Sequence, residues 1–263
     1  MAKTTTLRAR RESGGRSLQG KRVLITGASS GIGAGIARLF AEAGAVVGIH
    51  YHESAEQARA LQRELRSQGA QAECFRANLA RSASLPGLIA RVVARLGGMD
   101  VLVSNAGAMV STKHFRDVSS MDWDRVFALN AKAHFFIARE ALLHMQAVGD
   151  GGRIIAISSV SVKYGGSERS LPYAAAKAAL ETAMHGLAKA GAHANVLVNV
   201  VRAGFIDTAF HHKTSRPDFS ERISLIPLRR PGQVVDVARM VLYLAGEGGD
   251  FITGQILTVS GGD

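Results

Sequence analysis

The chain is poor in the residues that mark several common classes of protein. It holds a single cysteine, Cys74, among 263 residues, so no internal disulfide can form and a thiolate metal site is disfavoured. We interpret Cys74 as a small buried hydrophobe in a strand, and we expect a reducing compartment, the cytoplasm. No apolar run is long enough to span a membrane, and no secretory signal opens the chain. We therefore expect neither a membrane partner nor secretion.

Proline and acidic residues are also scarce. Five prolines against 29 glycines favour tight strand-to-helix turns over long linkers. The 21 acidic residues are outnumbered by 32 Lys and Arg, and part of that excess lies in residues 1–19, which we predict to be a disordered basic tail. The rest of the positive charge would steer an anionic ligand, such as a phosphorylated cofactor or an acidic carrier. No basic stripe is interleaved with aromatic residues, so we do not expect nucleic acid as a partner.

From residue 20 onward, short apolar runs alternate with segments of helical periodicity. The predicted strands are 22–26, 45–51, 71–78, 99–105, 152–159, 195–201 and 254–262. The predicted helices are 31–44, 54–69, 85–98, 119–146, 172–193 and 232–246. This alternation predicts an α/β fold, with one Rossmann-type, doubly wound parallel sheet of about seven strands and helices on both faces. We expect a single domain, 20–263, whose ligands lie beyond the carboxyl ends of the strands.

A glycine-rich turn, "TGASSGIG" at 26–33, follows the first strand. Gly27, Gly31 and Gly33 stand where the pyrophosphate of a dinucleotide meets a helix N-terminus, since missing side chains let the backbone approach the phosphates. The alternative is a turn that merely lets the helix pack on the strand.

Tyr173 and Lys177 stand four residues apart at the start of a predicted helix, so they share one face. An unperturbed tyrosine, with a pKa of about 10, is a poor acid–base group at neutral pH. A nearby cation lowers that pKa, and we expect Lys177 to do so. The alternative is an ordinary surface pair.

Four motifs together resemble the short-chain dehydrogenases/reductases. "TGASSGIG", "NAG" at 105–107, Asn130 in "ALNAK" and "YAAAK" at 173–177 occur in the order and at about the spacing of that family, over about residues 20–263. The closest likeness is to the 3-oxoacyl-carrier-protein reductases and their relatives. The resemblance implies that Asn130, Ser159, Tyr173 and Lys177 are catalytic. Lys177 would also bind the nicotinamide ribose, and Asn130 would hold a water in a proton relay, the alternative being an exposed asparagine without a role.

The catalytic serine has two candidates. The family's serine is usually the second of the pair that ends strand five, which selects Ser159. Ser159 lies 14 residues before Tyr173, one more than in many relatives, and Ser161 lies 12 before. We prefer Ser159 because strand position fixes geometry, whereas the loop before Tyr173 can absorb an extra residue.

The choice of nicotinamide cofactor depends on the end of the second strand. Tyr51 stands where NAD-preferring proteins usually place an acid, so a 2′-phosphate would not be repelled and we favour NADP(H), with NAD(H) as the alternative. His52 and Ser54 would contact that phosphate, unless both are solvated loop residues. The cofactor-binding residues that the motifs imply are Gly27, Ser29, Ser30, Gly31, Ile32, Gly33, Tyr51, His52, Ser54, Asn78, Leu79, Asn105, Ala106, Gly107, Tyr173, Lys177, Ala203, Gly204, Ile206 and Thr208.

Three positions depart from the family's pattern. Asn78 replaces a common Asp, Ser104 in "SNAG" replaces the usual second Asn, and Ala203 replaces Pro before Gly204. Arg202, beside that turn, has no explanation in the sequence.

The polar segment 210–230 interrupts the alternation, and we predict a lid over the substrate there. Tyr164 would form a wall of the substrate mouth. Lys213, Arg216 and Arg222 would favour an anionic substrate or acyl carrier. His211 and His212 are adjacent without a further ligand cluster, so we expect no metal.

The leading hypothesis is a reductase that transfers hydride from NADPH to a ketone, with Tyr173 as the proton donor. The substrate would be a small carbonyl compound, free or carrier-bound, and the protein a homotetramer or homodimer. The alternatives are an NAD-dependent alcohol dehydrogenase running in the oxidative direction and a non-catalytic cofactor-binding scaffold.

Overall fold

Seven apolar segments form one parallel sheet in the part of the chain that this computed structural model describes, residues 17–208 and 219–263. Valine and isoleucine dominate these segments because β-branched side chains pack well on a pleated surface. The strands are β1 Arg22–Ile25, β2 Val46–Tyr51, β3 Ala72–Arg76, β4 Val101–Ser104, β5 Gly152–Ser159, β6 Val196–Ala203 and β7 Ile256–Val259. The predicted fold class is confirmed, with most strands shorter than expected.

Helices cover both faces of the sheet. In the described residues they are α1 Gly31–Glu42, α2 Ala55–Ser67, α3 Leu85–Leu96, α4 Ser120–Phe127, α5 Ala133–Val148, α6 Ser161–Tyr164, α7 Leu171–Gly191, α8 Ser220–Ser224 and α9 Val234–Ala245. Local sequence explains where two of them begin. Pro172 stands in the first turn of α7, where a missing N–H costs nothing. Ser119 caps α4 by accepting a hydrogen bond from the Asp122 N–H at 3.2 Å.

The strand order places the ligand crevice. The order is β3-β2-β1-β4-β5-β6-β7, and every neighbouring pair is parallel. The chain runs outward in one direction from β1 to β3 and in the other direction from β4 to β7. Beyond the carboxyl ends of β1 and β4 the connections diverge, which leaves a crevice in which doubly wound proteins bind ligands.

Two apolar cores, one on each face, fix the strands. On one face α1 and α9 pack together, with Phe40 and Leu244 fully buried. On the other face α3, α5 and α7 pack, with Ile137 and Leu180 fully buried. Since interiors of this kind are close-packed, the strand ends form a rigid platform for the side chains of the crevice.

The helix predicted over 119–146 is interrupted. Between α4 and α5 lies a π-helical turn, Ala128–Lys132. The side chain of Asn130 causes the break, because its Nδ2 donates to the carbonyl of Val126 at 2.9 Å and to that of Ala108 at 2.9 Å. A side chain that competes for helix carbonyls distorts the regular pattern, and π turns are frequent at functional sites.

The predicted basic tail falls mostly outside the described residues, which begin at 17. Of its last three residues, Leu18 is only 1% exposed and belongs to the apolar core. Its N–H donates to the carbonyl of Ala43 at 3.0 Å. The packed part of the chain therefore begins before residue 20.

The predicted lid is described only from residue 219 onward, as the short helix α8 and the chain after it. Its predicted contacts to an anionic substrate at Lys213 and Arg216, and the pair His211 and His212, lie outside the described residues. Arg222 is described, and its guanidinium binds the carboxylate of Asp263, so its charge is neutralised rather than free for a substrate.

Helix α6 forms where a loop was predicted, and it carries Tyr164 away from the expected place. The Tyr164 hydroxyl donates to Asp263, and Tyr164 is not among the residues that line the main cavity. The prediction that it walls the substrate mouth is therefore wrong for this structure, because the C-terminal residue binds its hydroxyl.

Within 17–208 and 219–263, no helix is both long and apolar enough to cross a membrane. The same residues contain no group of three or more His, Cys, Asp and Glu side chains placed to bind a metal ion. Cys74 lies half-buried in β3 with its Sγ 3.4 Å from the Ala58 carbonyl. Burial raises the pKa of its thiol, so it remains protonated as a small packed side chain.

Candidate active site

A cavity of about 740 Å³ opens at the carboxyl ends of the central strands. This volume lies in the range of sites for small molecules and cofactors. The predicted site residues that line it are Gly27, Ser29, Ser30, Gly31, Ile32, Tyr51, His52, Ser54, Asn78, Leu79, Asn105, Ala106, Gly107, Ser159, Tyr173, Lys177, Ala203, Gly204, Ile206 and Thr208. Two predicted residues, Gly33 and Asn130, are not part of the lining and act from behind it.

The glycine turn is shaped by close backbone contacts. Gly27 has a φ of +64°, and a Cβ there would lie 2.9 Å from the Cα of Ala106. At Gly33 a Cβ would lie 2.4 Å from the Gly27 carbonyl oxygen and 2.6 Å from the Asn105 Nδ2. Gly33 therefore allows helix α1 to pack on the turn, as the alternative interpretation of this motif expected, and its contact with a cofactor stays a prediction.

The N-terminus of α1 faces the cavity through Ser29, Ser30, Gly31 and Ile32. Ser30 precedes the helix in an extended conformation and makes no side-chain cap in the described structure. The first turn of α1 also carries no acidic residue. The first N–H groups and the positive end of the helix dipole are therefore available to an anion, as a dinucleotide phosphate requires.

His50, which sequence reasoning missed, supports the glycine turn from β2. Its Nδ1 accepts a hydrogen bond from the Gly27 N–H at 3.1 Å, and its Nε2 lies 3.2 Å from the Ala77 carbonyl. These two partners assign the tautomer, with the proton on Nε2. Burial lowers the pKa of His50 to about 4, so the ring is neutral at physiological pH and keeps both contacts.

The end of β2 carries no carboxylate at the position that Tyr51 occupies. Tyr51 is 8% exposed, and the first acid after it is Glu53, whose side chain is 84% exposed. The Nδ1 of His52 lies 3.7 Å from the Glu53 carboxylate. His52, Glu53 and Ser54 all line the cavity, so this end of the cavity holds a histidine and a hydroxyl beside an exposed acid.

The reaction centre predicted from Ser159, Tyr173 and Lys177 is assembled by two elements. Ser159 is the last residue of β5, and α7 carries Tyr173 in its first turn and Lys177 one turn later. The side chains of Tyr173 and Ser159 are hydrogen-bonded to each other. The Lys177 Nζ donates to the Ile157 carbonyl at 2.8 Å and lies 5.8 Å from the centre of the Tyr173 ring. Two hydroxyls and an amine thus meet at one wall of the cavity.

The charge states of this centre differ from the expectation. Burial raises the pKa of Tyr173 to about 12, and the hydrogen bond from Ser159 only partly opposes this effect. Burial lowers the pKa of Lys177 to about 7, although the carboxylate of Glu181 acts in the opposite direction. The net shift of the Tyr173 pKa is therefore upward, opposite to the lowering that the sequence predicted. Desolvation dominates both groups, and Tyr173 is a neutral phenol that can donate a proton.

The two candidate serines occupy different environments. Ser159 lines the cavity and bonds to Tyr173. Ser161 does not line it, and its backbone N–H donates to the Ser159 Oγ at 3.2 Å. The Ser161 Oγ is buried and has no partner among the described residues. Ser159 is the last residue of β5, and the short helix α6 lies between it and Tyr173.

Comparisons with known proteins give the family. The profile described as "Enoyl-(Acyl carrier protein) reductase" matches residues 27–263. The versicolorin reductase stcU of Emericella nidulans is 36% identical over 257 residues, which cover 93% of this chain and 96% of that protein. The tetrahydroxynaphthalene reductase of Pyricularia oryzae is 32% identical over 259 residues, which cover 94% and 90%. The chain belongs to the short-chain dehydrogenase/reductase family.

A solved structure shares the whole fold. A short chain dehydrogenase from Burkholderia cenocepacia, in complex with NADP, superposes with a TM-score of 0.87 at 33% identity and covers 94% of this chain and 99% of that one. The predicted family and the seven-stranded fold are therefore confirmed.

In this short-chain dehydrogenase/reductase, Ser104 is supported by a histidine. The Ser104 Oγ lies 2.8 Å from the His134 Nδ1, and the His134 Nε2 lies 2.8 Å from the Ala106 carbonyl. Burial, with the charge of Lys177, holds the pKa of His134 well below its ordinary value. A neutral ring with its proton on Nε2 satisfies both partners. Ser104 and His134 together therefore hold the Asn-Ala-Gly turn of this family member.

The turn after β6 is also held without the family's proline. The Gly204 N–H donates to the Val259 carbonyl at 2.9 Å, and the Ala203 carbonyl accepts from the Val160 N–H at 2.9 Å. A Cβ on Gly204 would lie 2.6 Å from the Cα of Ser260. Backbone hydrogen bonds and this close approach therefore fix the turn, which lacks the proline ring found there in the family.

Asn130 is fully buried, so the interpretation as an exposed asparagine is wrong. Its Oδ1 accepts from the Ala108 N–H at 3.2 Å. A Cβ on Gly107 would lie 2.9 Å from the Asn130 Oδ1 and 3.4 Å from the Lys177 Nζ. The missing side chain at Gly107 thus leaves these two polar groups facing the same small space.

Proposed function

We propose that this protein is an NADPH-dependent reductase that converts a ketone or another carbonyl group to an alcohol. One observation carries the proposal: the hydroxyls of Ser159 and Tyr173 meet beside the Lys177 amine, on the wall of a cavity that also contains the glycine turn and the N-terminus of α1. A neutral phenol and a second hydroxyl at one point suit an oxygen that gains negative charge.

The residues present fit a nicotinamide dinucleotide. The free N–H groups at the N-terminus of α1 would bind its phosphates, and the turns at 105–107 and 203–204 would lie along its nicotinamide half. When bound, the reduced nicotinamide supplies a hydride to the carbonyl carbon. The protein's part is to hold the two reactants together, exclude water and supply the proton.

Each polar group of the centre has a proposed task. Ser159 donates a hydrogen bond to the substrate oxygen and orients it, and Tyr173 delivers a proton from its hydroxyl to that oxygen. Lys177 supplies positive charge next to the phenol as it loses the proton. Asn130, whose Oδ1 faces the same space as the Lys177 Nζ, connects this amine to a proton relay.

NADP(H) is favoured over NAD(H) by the end of β2. A carboxylate at position 51 would accept both ribose hydroxyls of NAD and repel a 2′-phosphate, but Tyr51 stands there. His52 and Ser54 are the proposed phosphate contacts. The solved relative from Burkholderia cenocepacia, which was crystallised with NADP, supports this preference.

The proposed substrate class is a ketone, and a panel of carbonyl compounds would test it. Oxidation of NADPH, followed by its absorbance, would be measured with β-ketoacyl thioesters, with cyclic and aromatic ketones, and with a polyhydroxylated naphthalene, since one relative is a tetrahydroxynaphthalene reductase. An enoyl thioester belongs in the panel because of the family profile's description. We expect turnover of at least one ketone and a kcat/KM with NADPH well above that with NADH.

Three results would contradict the proposal. Turnover only of the enoyl thioester would replace carbonyl reduction with double-bond reduction. Activity only with NAD and an alcohol would favour the oxidative dehydrogenase instead. Binding of NADPH without turnover of any compound would favour the scaffold.

We also propose a homotetramer or homodimer in the cytoplasm. Exposed apolar side chains support self-association, among them Trp123 on α4, Leu143 on α5 and Phe251 before β7. Light scattering during size exclusion would give the mass, and a monomer at micromolar concentration would contradict the proposal. The positive charge that remains outside the N-terminal segment is compatible with an acidic carrier as the bearer of the substrate.

A further inference from the structure

A buried ion pair lies directly behind the reaction centre. Glu181 is 5% exposed and stands on α7 four residues after Lys177, on the same face. Arg202 on β6 donates to both of its oxygens, from Nε at 2.9 Å and from Nη2 at 2.6 Å. Ser158, the partner of Arg202 across β5 and β6, donates to the Glu181 Oε1 at 2.7 Å. This network explains Arg202, which had no role in the sequence.

The network lies next to Lys177 in the fold. The Nζ of Lys177 is held by the Ile157 carbonyl, one residue before Ser158 on the same strand. The ionisable groups around this amine are Tyr173 and Glu181 from α7, His134 from α5, and Arg202 of β6 behind Glu181. Of these, Glu181 is the carboxylate, and its charge favours the protonated amine.

We propose that the Glu181–Arg202 pair is a positioning device for catalysis, which sets how much positive charge Lys177 presents to Tyr173. Glu181 supplies the negative charge that keeps the buried amine protonated, and Arg202 offsets part of it and holds the carboxylate in place. Neither residue touches substrate or cofactor in this proposal. It rests on the proposed function for its catalytic meaning.

Removing the negative charge of Glu181 and removing the positive charge of Arg202 should therefore shift the titration of Lys177 in opposite directions. Glu181→Gln keeps the shape and a hydrogen-bond acceptor but removes the negative charge, so the Lys177 amine should lose its proton at a lower pH. Arg202→Met removes the counter-charge and leaves the carboxylate to Lys177, so the amine should lose its proton at a higher pH. A purely structural pair would lower stability in both variants without this reversal of sign.

Nuclear magnetic resonance of lysine side chains would test this directly. The chain has eight lysines, so protein labelled with ¹³C at lysine Cε gives a countable set of signals, and Lys177→Met identifies the one of interest. In the wild type its midpoint should lie near pH 7. We expect the midpoint to fall by about one pH unit in Glu181→Gln and to rise by a similar amount in Arg202→Met. At pH 7 such a fall would leave about fivefold less protonated Lys177.

A matched control separates this effect from general loosening. Asp100→Asn breaks the pair with Arg22, joined at 2.7 Å, at the opposite ends of the strands, and should leave the midpoint unchanged. An unmoved midpoint in Glu181→Gln, or movement in the same direction in Glu181→Gln and Arg202→Met, would overturn the proposal. If Glu181→Gln does not fold, the midpoints of Lys177 in Arg202→Met and in Arg202→Lys, which keeps the charge, are compared instead. The midpoint should rise in Arg202→Met and stay near that of the wild type in Arg202→Lys, and equal midpoints in the two variants would overturn the proposal.

The titration does not depend on turnover. A wild-type protein that reduces no carbonyl compound would refute the proposed function and leave the electrostatic coupling measurable. In an active enzyme, the pH dependence of kcat should move in the same direction as the signal of Lys177.

Discussion

Replacing Lys177 with methionine should make the protein more stable at neutral pH. Lys177 is 3% exposed, and burial lowers its pKa from the ordinary 10.5 to about 7. Methionine has a similar length and no charge to desolvate, so the folded state no longer bears that cost. A stabilising substitution is what we expect if the proposed catalytic role of Lys177 requires a buried charge.

The magnitude follows from the two pKa values. Lowering the pKa from 10.5 to about 7 corresponds to a penalty of about 5 kcal/mol when the amine is charged in both states. Loss of the hydrogen bond to the Ile157 carbonyl, which would be left without this donor, offsets about 1–2 kcal/mol. At pH 7 folded Lys177 is half-protonated, which reduces the penalty by about 0.4 kcal/mol. We therefore expect Lys177→Met to raise the free energy of unfolding by about 3 kcal/mol at pH 7.

The pH dependence of the stability difference between Lys177→Met and the wild type tests the depressed pKa of Lys177 more sharply. Between about pH 7 and 10.5 the unfolded chain holds a proton that folded Lys177 has lost, so the stability of the wild type rises with pH in that window. The penalty is largest below pH 7 and vanishes above 10.5. Between pH 7 and pH 9 the advantage of Lys177→Met should shrink by about 2 kcal/mol.

Urea unfolding at pH 7, 8 and 9 would measure this, at one protein concentration for both proteins. Trp123, the single tryptophan, serves as the fluorescent probe, because it stacks on Phe127 with ring centres 4.8 Å apart. Titrating groups that do not interact with Lys177 cancel in the difference between the two proteins. A difference that stays constant from pH 7 to pH 9 would refute the assignment of a depressed pKa to Lys177.

Two further predictions concern the serines and the glycine turn. Ser159→Ala should lower kcat by about 100-fold or more, whereas Ser161→Ala should stay close to wild type, and the reverse order in steady-state assays would make Ser161 the catalytic serine. Gly33→Ala places a methyl group 2.4 Å from the Gly27 carbonyl and should weaken NADPH binding, measured by fluorescence titration, by at least about tenfold. Its control is Gly186→Ala in α7, where a Cβ meets nothing within 4 Å. This control should bind NADPH normally and stabilise the protein by up to about 1 kcal/mol. Equal NADPH binding by the two variants would contradict the packing role of Gly33.

The fold could be predicted from the sequence because its signals are local. Each strand is a short apolar run, each helix has its own periodicity, and a right-handed connection between parallel strands leaves little choice of topology. The resemblance to the family selected Ser159, Tyr173 and Lys177, and the edge of the sheet where strand ends and helix starts meet explains why they lie together. The interruption at Asn130 could not, because the apolar pattern continues through 119–146 and the break depends on a carbonyl at Ala108.

The remaining features depend on contacts between distant segments. In the sequence His50 is one more residue of a predicted strand. Its role depends on a hydrogen bond from the Gly27 N–H, 23 positions away. Glu181 and Arg202 are paired only because α7 packs on β6. The pKa of Tyr173 was predicted in the wrong direction for a similar reason, because the adjacent lysine is visible in the sequence but the burial that outweighs it is not.

The proposed reaction depends most directly on the hydroxyl of Tyr173. Tyr173→Phe removes that oxygen and keeps the ring, so NADPH binding, measured by fluorescence titration, should remain close to wild type. With the best ketone of the panel, the rate of NADPH oxidation should fall by about 100-fold or more. A variant that binds NADPH normally and still reduces the ketone at a rate near that of wild type would show that Tyr173 is not the proton donor.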